Sequence, residues 1–169
     1  MFEKILVAID DSQSSRSIFE RSLTLAKANC SELMLIHVLT ILDDFYPSDT
    51  FIGIPASATR IYADRLETRE QAGIEKLRSL VLEATTAGIS AEFTQNIGDP
   101  GKVICEIAKT WNANLIVVGR RGLNGLSELL MGSTSNYVLH HAPCDVLTIQ
   151  EIAQTLPLPK LPTILAGST

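Results

Sequence analysis

Apolar positions in this chain fall into short β-like runs, and between those runs they switch to helical spacing. Lys4 to Ile9 reads Lys-Ile-Leu-Val-Ala-Ile, too short for a helix and rich in the residues that suit a buried strand. Asp10-Asp11-Ser12 ends it. Ser12 is the expected N-cap of a helix with Ile18, Ser22, Leu25 and Ala26 on one face. Glu32 to Leu39 forms a second strand-like run. From Thr40 to Pro55 the pattern dissolves into Asp, Pro, Ser and Gly, a connection long enough to be a lid or an insertion. A long helix is predicted from about Ser57 to Thr86, with Leu66, Gly73, Leu77, Leu80 and Ala84 inward and Ile74 and Val81 beside them.

Ser90 to Gln95 alternates and predicts a third, less buried strand. Asp99 is the expected cap of the next helix, with Pro100 in its first turn and Ile104, Ile107, Ala108 and Trp111 as its inward stripe. Asn114 to Val118 is the purest apolar run in the chain. It feeds a loop over Gly119 to Met131 and then a short helix from Gly132 to about His141. Pro143 closes that helix, and Asp145 to Gln150 makes the fifth strand. Glu151 to Thr169 contains Leu-Pro-Leu-Pro-Lys-Leu-Pro and reads as an extended, polyproline-like tail.

Strands alternating with helices predict an α/β fold: a single-domain, doubly wound, five-stranded parallel sheet in the flavodoxin-like order 3-2-1-4-5. The domain is expected over 1–150, with 40–56 a variable loop and 151–169 a Pro-rich tail. Ligands of such sheets sit beyond the carboxyl ends of the strands, where strand order reverses. That places a site at Asp10 and from Gly119 onward. The same order puts the fifth strand at an edge, where Val146, Leu147 and Ile149 are guarded only by Asp145. Pairing with a second copy would satisfy that edge, so a homodimer through 145–150 is expected.

Composition narrows the class. Hydrophobic residues make up 46% and aromatics 5%, so the core is aliphatic, as suits strands covered on both faces. The net charge of -5, without a basic run, argues against nucleic acid. No stretch reaches the ~20 apolar residues of a membrane span, and no signal-peptide pattern opens the chain, so a cytoplasmic protein is expected. Cys30, Cys105 and Cys144 lack metal or disulfide spacing and read as small buried hydrophobes. His37, His140 and His141 read as structural.

The informative segment is Gly119-Arg120-Arg121-Gly122, nine further residues, then Gly132-Ser133-Thr134-Ser135. A glycine after a buried strand lets the backbone turn and lets a ligand approach without a Cβ in the way. Glycine at a helix start leaves unpaired N–H groups, which attract anions together with the helix dipole. Hydroxyls and arginines add to the same place, and the set suits a di- or triphosphate. Neither a dinucleotide fingerprint nor a Walker A loop is present.

Gly119-x2-Gly122-x9-Gly132-Ser133 resembles the nucleotide-binding motif of the universal stress protein family. The opening Ile-Leu-Val-Ala-Ile-Asp-x-Ser, His37-Val38, Gly98-x-Pro100, Leu-Ile-Val-Val-Gly and His141-Ala-Pro-Cys-Asp-Val agree, in order, over about Lys4 to Gln150. The resemblance implies an adenine nucleotide, ATP or else AMP or ADP, with Mg²⁺ accompanying it. It implicates Asp10 beside the nucleotide and the Val38 backbone against adenine. Gly119, Arg121, Gly122, Gly132, Ser133 and Thr134 would wrap ribose and phosphates, Val118 would add a backbone or apolar contact at the strand end, and Asp10 is the one candidate for a magnesium contact. It also implies a homodimeric switch in stress tolerance whose downstream protein partner the sequence does not name.

One departure and two alternatives accompany it. Asp11 stands where the family frequently has glycine, and it is expected to point to solvent beside the helix start. Weak ATP hydrolysis or self-phosphorylation at Ser133, Thr134 or Ser135 is one alternative, and preference for AMP or a cyclic nucleotide is another. No residue stands out as a base to activate water, so efficient hydrolysis is not expected.

Overall fold

The computed structural model describes residues 1–40, 56–120 and 132–150, with backbone alone for 56–62. In chain order the elements are β1 (Lys4–Ala8), α1 (Ser14–Asn29), β2 (Glu32–Leu39), α2 (Ala56–Thr86) and β3 (Ala91–Ile97). They continue with α3 (Pro100–Trp111), β4 (Leu115–Gly119), α4 (Ser133–His141) and β5 (Asp145–Ile149). The strands form one parallel sheet in the order β3-β2-β1-β4-β5, as the alternation predicted. The chain steps outward from β1 through β2 to β3, then returns to the other side of β1 for β4 and β5. The order therefore reverses between β1 and β4, which are in register at Val7 and Val117.

Strand side chains alternate between two cores. Ile5, Val7, Leu33, Leu35, Leu115 and Val117 face one way and meet Ile18, Phe19 and Ala26 of α1 with Leu77, Leu80 and Ala84 of α2. Leu6, Met34, Ile36, Ile116 and Val118 face the other way, against Ile104 and Ala108 of α3 and Val138 of α4. Burial on both faces explains why β1, β2 and β4 read as unbroken apolar runs. β3, at one edge, is only half-buried, in keeping with its alternating sequence.

Local chemistry sets the helix ends. The Asp99 carboxylate accepts from the Lys102 N–H at 3.0 Å and Pro100 follows it, so α3 starts as expected. The start of α1 differs from expectation. Gln13, not Ser12, holds the N-cap position and makes no capping bond, because the Ser12 hydroxyl is drawn back to Asp10 instead. The cysteines also differ from expectation. Cys30 is exposed as the left-handed C-cap of α1 (φ 55°), while Cys105 and Cys144 are half-buried. The expected loop over 40–56 falls mainly, and the tail over 151–169 wholly, outside the described residues.

Candidate functional site

Asp10 leaves β1 at the strand-order reversal, and its side chain is locked from one side. Its Oδ1 accepts from the Ser12 N–H at 3.1 Å, and the Ser12 and Ser15 hydroxyls both point to it. Ser15 is 1% exposed. Its single proton is shared between Oδ1 and the Asp10 carbonyl, and its oxygen accepts from the Asp10 N–H at 3.1 Å. Lys76, brought over by α2, donates to that same carbonyl. One carboxylate oxygen is thus held by three donors. The other takes no hydrogen bond from the described residues. Such an oxygen suits a hydroxyl or N–H donor on a ligand.

Across the reversal, β4 ends in Gly119 and α4 begins at Ser133. The Ser135 hydroxyl, 4% exposed, donates to the Gly119 carbonyl and ties the helix start to the strand end. The Gly132 N–H donates to the Arg120 carbonyl at 2.9 Å, and the Arg120 N–H donates to Ile149 at 2.8 Å. The first bond inside the helix runs from Asn136 N–H to the Gly132 carbonyl at 2.9 Å. The amides of Ser133, Thr134 and Ser135 therefore have no acceptor within the helix. Gly132 supplies no side-chain cap either, in contrast to Asp99 on α3. An uncapped helix start with its positive dipole end carries a bias toward anions.

The expected residues divide as follows. Asp10, Val118, Gly119, Gly132, Ser133 and Thr134 come together around the β1–β4 reversal. Val38 lies one strand along, near the end of β2, half-buried and paired with Asn96. Val118 is buried in the core, so only its backbone is available to a ligand. The Ser135 hydroxyl donates to the Gly119 carbonyl. Arg121 and Gly122 lie outside the described residues. Ser12, Ser15 and Lys76 were missed as supports of Asp10. The Asp-x-Ser spacing is a local signal for the first, since an Asp side chain accepts from the N–H two residues on. Nothing local signals Lys76.

No group of three metal-binding side chains gathers among the described residues. With one oxygen of Asp10 already caged by donors, the residues fit a nucleotide better than a resident metal. Among the described residues, no helix is long and apolar enough to cross a membrane.

The fold is a doubly wound parallel α/β sheet, and comparison with known proteins gives the family. The model of the universal stress protein family matches residues 1–150, and the chain belongs to that family. Universal stress protein Sll1388 of Synechocystis is 36% identical over 153 residues, covering 88% of this chain and 98% of its own. Among solved structures, the hypothetical protein MJ0577 superposes with a TM-score of 0.76 at 19% identity, over 90% of this chain and 99% of its own. A universal stress protein family protein from Arabidopsis thaliana, solved with AMP bound, gives 0.63 at 24% identity, over 89% of this chain and 93% of its own. At those identities the two structures speak for the fold.

Proposed function

We propose that this universal stress protein binds an adenine nucleotide across the carboxyl ends of β1 and β4, with ATP as the leading ligand. One observation carries the reading: α4 starts without a side-chain cap directly beyond β4, and the neighbouring β1 leads into Asp10, whose second carboxylate oxygen takes no hydrogen bond from the described residues. Phosphates would take the amides of Ser133 and Thr134 with the Gly119 and Gly132 backbone. The free oxygen of Asp10 would accept from a ribose hydroxyl, and the Val38 backbone would meet adenine. Arg121 and Gly122 belong to the same proposal through their spacing. AMP bound to the Arabidopsis relative supports the class of ligand.

The output follows as a switch. Occupancy ties together the start of α4, the end of β4 and the segment after β1, and β5 lies beside β4 at the sheet edge where a second copy would pair. A homodimer that reads nucleotide occupancy in the cytoplasm is the proposed working form. Magnesium is proposed to come with the phosphates and to reach Asp10 at most through water.

Calorimetric titration with ATP and then AMP, each with and without Mg²⁺, tests the reading. Binding near micromolar, about 8 kcal/mol, that weakens at least about tenfold in Asp10→Ala supports it. Equal affinity in Asp10→Ala, or no binding of either nucleotide by ligand-free protein, would reject it.

A further inference from the structure

His37 is the polar side chain most deeply placed near the candidate site that the reading above does not use. It lies on β2, and its side chain is 6% exposed. Nε2 lies 3.8 Å from Oδ1 of Asp11, on the segment that also carries Asp10. Nδ1 points to the opposite side and is buried without a hydrogen-bond partner. Gln95, the register partner of His37 on β3, has its Oε1 buried and unpartnered in the same way. The Gln95 amide N–H donates to the Glu70 carbonyl at 3.2 Å, which fixes Oε1 as the other end of the amide. Nδ1 and Oε1 lie 2.6 Å and 2.9 Å from one common point, the place a Cβ on Gly73 would occupy.

Two acceptors lie near the ring and neither is hydrogen-bonded to it: the Asp11 carboxylate, 3.8 Å from Nε2, and the Gln95 carbonyl oxygen, which shares with Nδ1 the space beside Gly73. A neutral imidazole has one N–H and can serve only one of them. The imidazolium has two and can serve both. We propose that His37 is a proton-dependent positioning residue, which when charged holds Asp11 against β2 and so sets the segment that presents Asp10.

The surrounding charges decide when this happens. Asp10 and Asp11 on the segment after β1 favour the charged ring, while Lys76 and Arg69 on α2 oppose it. Burial opposes it most, and the ring's pKa is lowered from its ordinary value. An anionic ligand changes the balance. It adds negative charge beyond the strand ends, and it gains when Asp11, otherwise a repelling carboxylate, is paired. Nucleotide binding should then take up a proton at His37, and affinity should rise as pH falls. This coupling rests on the nucleotide reading; the positioning of Asp11 does not.

The experiment has two arms on the full chain. In the first, ring and amide signals are followed by NMR from about pH 8 to pH 5 without ligand. The expected result is that the Asp11 and Ser12 amides move with the same midpoint as the His37 ring, and that Asp11→Asn lowers that midpoint. Amides that ignore the ring's titration, or a midpoint unmoved by Asp11→Asn, would overturn the positioning role. In the second arm, ATP affinity is measured over the same range for the wild type and His37→Gln, with His37→Asn as substitute if the first variant does not fold. Phosphate titration of ATP itself affects both proteins equally. The wild type should gain about two- to fivefold in affinity over the variant on acidification, the range of a half-exposed ion pair. Parallel profiles would overturn the coupling. If neither protein binds ATP at any pH, the nucleotide reading and the coupling both fall, and the first arm alone decides the positioning of Asp11.

Discussion

Gly73 of α2 and His37 of β2 approach so closely that a methyl group on Gly73 would stand 2.6 Å from His37 Nδ1 and 2.9 Å from Gln95 Oε1. Alanine is the better helix former by about 1 kcal/mol. Overpacking against a buried ring costs about 1–3 kcal/mol and outweighs that gain. Gly73→Ala is expected to lower the urea midpoint without changing the slope. An unchanged or raised midpoint would show that α2 can move away.

His37 also makes stability depend on pH, with a definite sign. Burial, the largest cause, lowers its pKa in the folded chain below the ordinary 6.5. Below that value the unfolded chain takes a proton that the folded chain refuses, so stability rises with pH between the folded pKa and 6.5. Urea midpoints measured across this window should climb less steeply in His37→Gln than in the wild type. Equal slopes would mean that His37 titrates alike in both states.

Ser15→Ala removes the hydroxyl that serves Asp10 at its carbonyl, its N–H and Oδ1 together. Because the site is buried, leaving these groups short of partners costs about 1–3 kcal/mol. The same change frees the Asp10 side chain to rotate, so nucleotide affinity should fall as well. Stability lost with affinity retained would separate Asp10 from the ligand.

Cys30 sits in the left-handed region at φ 55°, ψ 42°, where it closes α1 by donating its N–H to Ala26. Glycine reaches that region without a Cβ penalty, so Cys30→Gly is expected to raise stability by up to about 1 kcal/mol. The Cys30 thiol is exposed, while burial pushes the Cys105 and Cys144 thiols up in pKa. Alkylation followed by mass spectrometry should therefore modify Cys30 first.

β5 is an edge strand, and Leu147 on it is 40% exposed. If a second copy pairs there, Leu147→Lys should shift sedimentation from dimer toward monomer at micromolar concentration. A wild-type chain that sediments as a monomer would remove the dimer from the proposal.

What was legible in the sequence is what local pattern controls. The run from Leu115 to Val118 is buried on both faces and contains no polar residue, so it could hardly be anything but a central strand. Asp99 and Pro100 announced the start of α3 because both act on their own helix turn. Ser12 had the right chemistry for a cap but met a closer acceptor in Asp10, a competition that spacing alone does not settle. Phe19, fully buried in α1, lies outside the predicted stripe of Ile18, Ser22, Leu25 and Ala26. Gly73 was placed on the inward face of its helix, but the reason, a ring and an amide from two different strands, is a tertiary fact. Lys76 is 66 residues from the Asp10 carbonyl it reaches, and no motif spans that distance.

The most direct test of the central claim is to map where ATP touches the protein, by following backbone amide shifts in the ¹⁵N-labelled chain during a titration. Saturable shifts are expected at Asp10, Val38, Gly119, Gly132, Ser133 and Thr134, with the far ends of the strands unmoved. Shifts confined to other parts of the molecule, or none at millimolar ATP, would contradict it.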